Sequence, residues 1–94
     1  MTQDAAFYFA NLGADVSRCA SAARQKDTVR YADSLARAHE TLKKLRATER
    51  PEAYEEALLM LRGLEYARSS PQTLASFQSS LDALIGTFAS RFSP

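Results

Sequence analysis

The sequence predicts an all-α fold, an antiparallel up-down-up-down four-helix bundle, from three observations. Apolar residues recur at spacings of three and four along most of the chain. Polar turns carrying cap or proline signals interrupt that recurrence near Asp27, Pro51 and Pro71, and no stretch shows the period-two alternation of Val, Ile and Thr that a strand needs. The 94 residues leave room for one domain, 1–94, and 46% apolar with 24% charged residues describes a chain able to bury a core.

The first helix is expected over about 3–24, where Ala5, Phe9, Leu12, Val16, Cys19 and Ala23 are spaced four, three, four, three and four. Gln25-Lys26-Asp27 breaks the stripe, and Asp27 or Thr28 can cap a second helix over about 28–46. Its inward face is Tyr31, Ala32, Leu35, Ala38, Leu42 and Leu45. Pro51 suits the first turn of a third helix over about 51–68, where its missing N–H costs nothing, and Glu52, Glu55 and Glu56 complement the positive end of the helix dipole. Tyr54, Ala57, Leu58, Leu61 and Leu64 form its stripe. Ser69-Ser70-Pro71 repeats the start signal for a fourth helix over about 71–92, with Leu74, Phe77, Leu81, Leu84, Phe88 and Phe92 inward and Ile85 beside them. The closing Ser-Pro reads as a fraying end. Turns this short force consecutive helices to double back.

Twelve Lys and Arg against eleven Asp and Glu leave a formal charge of +1, so no global field draws nucleic acid or an anionic membrane. Arg30, Arg37 and Lys44 step by seven along the second helix, but Asp33 precedes Arg37 and Glu40 precedes Lys44 by four, so the stripe is expected to neutralise itself. Apolar runs such as Ala57 to Leu61 are far too short to span a bilayer, and a lone Cys19 points to a reducing, cytoplasmic setting.

Residues that miss the stripes are the candidate contact residues. Leu59 and Tyr66 fall away from the inward face of the third helix with Gly63 between them, and a mid-helix glycine implies a close approach by another group. Phe7 points opposite to Phe9. Eighteen of the 23 charged residues lie from Arg24 to Arg68, leaving low-charge outer faces on the first and fourth helices. These features predict a non-catalytic module that binds another protein or itself, as an adaptor, a small chaperone-like binder or an assembly unit such as a homodimer, without cofactor or metal. Flagellar and secretion chaperones are similar in size and helicity.

The alternative is chemical. Ala38-His39-Glu40-Thr41-Leu42-Lys43 resembles the active stretch of histidine phosphotransfer domains, which implies His39 as phosphoacceptor with Lys43 beside it. That family places Leu and Lys two and three residues after the histidine, whereas here they follow at three and four, which turns the lysine by about 100°. Asp33-Ser34-Leu35 resembles the attachment motif of acyl carrier proteins, but inside a helix and without an acidic surface. One histidine, with Ala36 three residues before it, cannot supply the Glu-x-x-His pairs of a bundle metal site. Cys19 on an apolar stripe reads as a small buried hydrophobe.

Overall fold

In the computed structural model, which describes residues 5–92 and, for 88–92, the backbone alone, the chain is all-helical. Helix α1 spans Ala5–Arg24, α2 Thr28–Ala47, α3 Pro51–Ala67 and α4 Pro71–Phe92. No strand occurs among the described residues. The expected start at Gln3, the closing Ser-Pro, and the side chains of Phe88 and Phe92 lie outside the described residues.

Each helix boundary has a local cause. The Asp27 carboxylate accepts the Arg30 N–H at 3.0 Å and so caps α2. Ser70 Oγ does the same for the Thr73 N–H at 3.1 Å at the start of α4. The residue before α3, Arg50, makes no side-chain cap, and Pro51 carries that start. At the end of α1, the Asp27 N–H bonds the Ala22 carbonyl at 2.9 Å and the Lys26 N–H bonds the Ala23 carbonyl at 3.2 Å, a Schellman ending. Lys26 adopts φ 57° there, and Glu49 adopts φ 59° after α2, where glycine would be the ordinary choice.

Helix α1 is the spine. It packs on all three other helices, most extensively on α2; α3 also meets all three, whereas the backbones of α2 and α4 lie apart. Ala5, Phe9, Leu12, Val16, Cys19 and Ala20 are all buried, and they meet Ala38 and Leu45 of α2, Ala53, Ala57, Met60 and Leu64 of α3, and Leu74 and Leu81 of α4. Burying each of the larger side chains contributes roughly 1.5–3 kcal/mol before entropy is counted. Both seams are antiparallel: Asp15 meets Arg37 and Cys19 meets Tyr31 across α1 and α2, and Gly13 meets Ile85 and Ser17 meets Gln78 across α1 and α4. This pattern is compatible with an up-down bundle.

Several stripe positions differ from expectation. Ala32 is exposed and Ser34 is buried, so the inward face of α2 is rotated toward α1. Ala22 and not Ala23 is fully buried on α1, and Ala53 and Met60 join the inner face of α3 while Tyr54 and Leu58 are only half-buried.

Candidate functional site

The face of α3 turned away from the core carries the most exposed large apolar groups among the described residues, apart from Val29. The inner face repeats at four, three, four and three through Ala53, Ala57, Met60, Leu64 and Ala67, all buried. The outer face repeats at three, four, three and four through Glu52, Glu55, Leu59, Arg62 and Tyr66, all exposed. Leu59 is 57% and Tyr66 81% accessible. At about 100° per residue these five side chains share one narrow arc, so α3 carries a second heptad-like seam that none of the described residues covers.

Gly63, between Leu59 and Tyr66 in sequence, sits on the shoulder facing α4. A Cβ there would lie 2.8 Å from Phe77 Cε1, so the close approach implied by a mid-helix glycine is made by the Phe77 ring from within the chain. Gly13 does the same for Ile85 on α1. Phe7 is 46% exposed on the outer side of α1, its ring edge-on to Tyr8 at 5.6 Å. It lies on a different helix from Leu59 and Tyr66.

The low-charge α1 and α4 surfaces meet through a polar clasp. Gln78 donates to the Ser17 carbonyl at 3.2 Å and accepts from Arg24 at 2.9 Å, so these groups are already committed within the chain.

His39 is exposed on α2, at the rim of a shallow groove of about 210 Å³ that runs between α2 and α3 over Leu35, Leu42, Leu58 and Leu61. Lys43 is turned to Glu40 at 3.2 Å, in an ion pair whose two members are both largely exposed.

Sequence reasoning missed a charged cluster on the α1–α2 seam. Asp15 is only 6% accessible, and its carboxylate accepts from Arg18 at 2.8 Å and from Arg37 at 3.3 Å. Arg37 also donates to the buried Ser34 hydroxyl at 3.2 Å. The signal was present: Asp15 stands three after Leu12 and four before Cys19, which places it on the flank of the buried stripe. The expected pairs of Asp33 with Arg37 and Glu40 with Lys44 are corrected accordingly. Arg37 turns inward because a shielded carboxylate holds it better than an exposed one, and Glu40 pairs with Lys43. The cluster also acts on Cys19: burial first and Asp15 second push its thiol up, Arg37 opposes, and the thiol comes to about 11. The thiol therefore stays protonated near neutral pH and is no nucleophile.

At one end of the molecule a cavity of about 360 Å³ opens between Ala23, Lys26, Asp27, Tyr31, Arg68 and Leu74. The Arg68 guanidinium lies 4.6 Å over the Tyr31 ring, and the Tyr31 hydroxyl is buried without a hydrogen-bond partner. Burial raises the phenol above its ordinary pKa, and Arg68 opposes that shift. Among the described residues no three His, Cys, Asp or Glu side chains gather into a metal-binding group, and no helix is long and apolar enough to cross a membrane.

The chain matches no family among the protein-family comparisons, and no curated protein or solved structure shows significant similarity to it.

Proposed function

We propose that this chain is a non-catalytic, up-down-up-down helical interaction module whose contact surface is the outward strip of α3. One observation carries the reading: Leu59 and Tyr66, two large apolar side chains seven residues apart on one helix face, are 57% and 81% exposed. Isolated exposed apolar residues are ordinary, but a second heptad-spaced seam on a helix that already buries one face matches how helices recognise other helices. Glu55 and Arg62 flank Leu59 without an ion-pair or hydrogen-bond partner among the described residues, so they are available to set specificity at the rim of such a contact. Phe7 stands apart from this surface, and Gly63 serves it indirectly by letting Phe77 pack beneath.

The test is site-directed photo-crosslinking in the native cell. A photoreactive side chain at position 59 or 66 is expected to give adducts of defined mass, and the same group at position 7, or at the exposed Asp33 on α2, is expected to give none. Equal yields at all four sites, or adducts only from position 7, would overturn the assignment of the surface. Phosphotransfer through His39 has the exposure of that imidazole in its favour. An acid-labile phosphoryl label, formed from a phosphodonor and lost in His39→Gln, would replace the non-catalytic reading with that one.

A further inference from the structure

We infer that the occupant of the α3 strip is a second copy of this chain, seated antiparallel about a twofold axis that passes between Leu58 and Leu59. This rests on the proposal that the strip is a contact surface and adds its partner and register. The argument is the charge order along the seam. Glu55 and Arg62 are both exposed, share a narrow arc with Leu59, and have no charged partner among the described residues. They cannot pair with each other inside one helix, because seven residues separate them by about 10 Å of axial rise.

Their midpoint falls between positions 58 and 59. In an antiparallel pair centred there, Glu55 of each copy lies opposite Arg62 of the other, and two ion pairs form from two groups that are otherwise unused. Leu59 then packs beside the axis against Leu59 of the second copy, and Tyr66 reaches over its exposed Pro51. A closed twofold contact requires a patch that complements itself in this way. A parallel pairing would instead set Glu55 on Glu55 and Arg62 on Arg62, which like-charge repulsion opposes. The same repulsion fixes register, since sliding by one heptad sets Arg62 on Arg62 with both Glu55 unmatched, or Glu55 on Glu55 with both Arg62 unmatched. In this register Glu65 lies opposite the exposed Glu52 of the second copy, and its ion pair with Arg68 at 3.5 Å within its own chain offsets that like-charge contact.

The experiment is sedimentation equilibrium of the purified full chain and of charge-reversed variants. The wild-type mass is expected to rise with concentration from 10.4 kDa towards twice that value. Glu55→Arg alone and Arg62→Glu alone each create two like-charge contacts, and each is expected to weaken self-association by about tenfold or more. An equimolar mixture of the two is expected to recover dimers, now heterodimers, because each Arg again faces a Glu. The double variant E55R/R62E is expected to recover the homodimer on its own. Circular dichroism should show all these variants folded, since neither position is buried or bonded.

A wild-type chain that stays at 10.4 kDa up to about millimolar concentration, where even weak contacts near −4 kcal/mol are populated, would overturn the inference. So would dimers that the single reversals leave unchanged, or single reversals that the mixture fails to rescue. Photo-adducts at positions 59 and 66 whose added mass differs from one further copy of the chain would preserve the contact surface while removing the self-association.

Discussion

Asp15 and Cys19 sit one helical turn apart on α1, and the two residues divide the polar chemistry of the α1–α2 seam between them. The carboxylate is satisfied by Arg18 and Arg37, which leave their own outer halves in water, so the charge is shielded without being stranded. The thiol donates weakly to the Tyr31 carbonyl at 3.7 Å and keeps its proton, because burial and the nearby carboxylate both oppose a second negative charge. This has a consequence for stability in alkali. An unfolded Cys19 releases its proton from its ordinary value of 9.0, whereas the folded thiol holds on to about 11. Across that window the unfolded state binds fewer protons, so stability falls as pH rises, by up to about 1.4 kcal/mol per pH unit. Tyr31, raised in the same direction, adds a decline of the same sign at its own higher range. Chemical denaturation between pH 8 and pH 11 is expected to show this fall, and Cys19→Ala is expected to flatten the part that begins near 9.0. Parallel curves for the two proteins would show that the thiol is not shielded as described.

The helices themselves were legible where one short-range rule decides. The three later starts follow from Asp27, Pro51 and Ser70-Pro71, and the α1 stripe of Ala5, Phe9, Leu12, Val16 and Cys19 is buried as its spacing implies. The rotation of α2 was not legible. Its composition permits Ala32 or Ser34 to face inward, and only the closeness of α1, together with Asp15 reaching for Arg37, decides for Ser34. The glycines show the same limit, because the sequence marks them as costly but not whether a neighbour fills the gap. Gly13 and Gly63 are filled by Ile85 and Phe77, whereas nothing lies within 4 Å of a Cβ at Gly86. Alanine in place of a helical glycine stabilises by about 1 kcal/mol where there is room, and overpacking costs about 1–3 kcal/mol where there is none. Thermal melts are therefore expected to rank Gly86→Ala above wild type by several degrees. Gly13→Ala should fall below it, and Gly63→Ala should be neutral or lower, since the Phe77 ring is half-buried and can move only as a unit. A stabilising Gly13→Ala would mean that α4 does not pack on α1 in this register.

At the scale of the whole molecule, the four stripes imply a shared interior but not its asymmetry. Periodicity treats the helices as equivalent, yet α1 and α3 each touch three neighbours, α1 most extensively, while α2 and α4 lie apart, so α1 and α3 bridge the short diagonal. The candidate surface was readable in the same partial way: Leu59, Tyr66 and Phe7 stood out as misfits, and all three are exposed. That Gly63 answers to Phe77 depends on a helix fourteen residues later in sequence, which no local pattern reports. A spine touching every other element can be uncovered only when the whole molecule opens, whereas either helix at the ends of the long diagonal can loosen with two contacts broken. Native-state hydrogen exchange is the measurement that separates these. The amides of Leu12, Val16 and Cys19 are expected to exchange only through global unfolding, with a free energy equal to that from chemical denaturation. Those in the outer turns of α2 and α4 are expected to exchange earlier, at a lower free energy and with weaker denaturant dependence. Central amides of α2 or α4 outlasting those of α1 would mean that another helix organises the core.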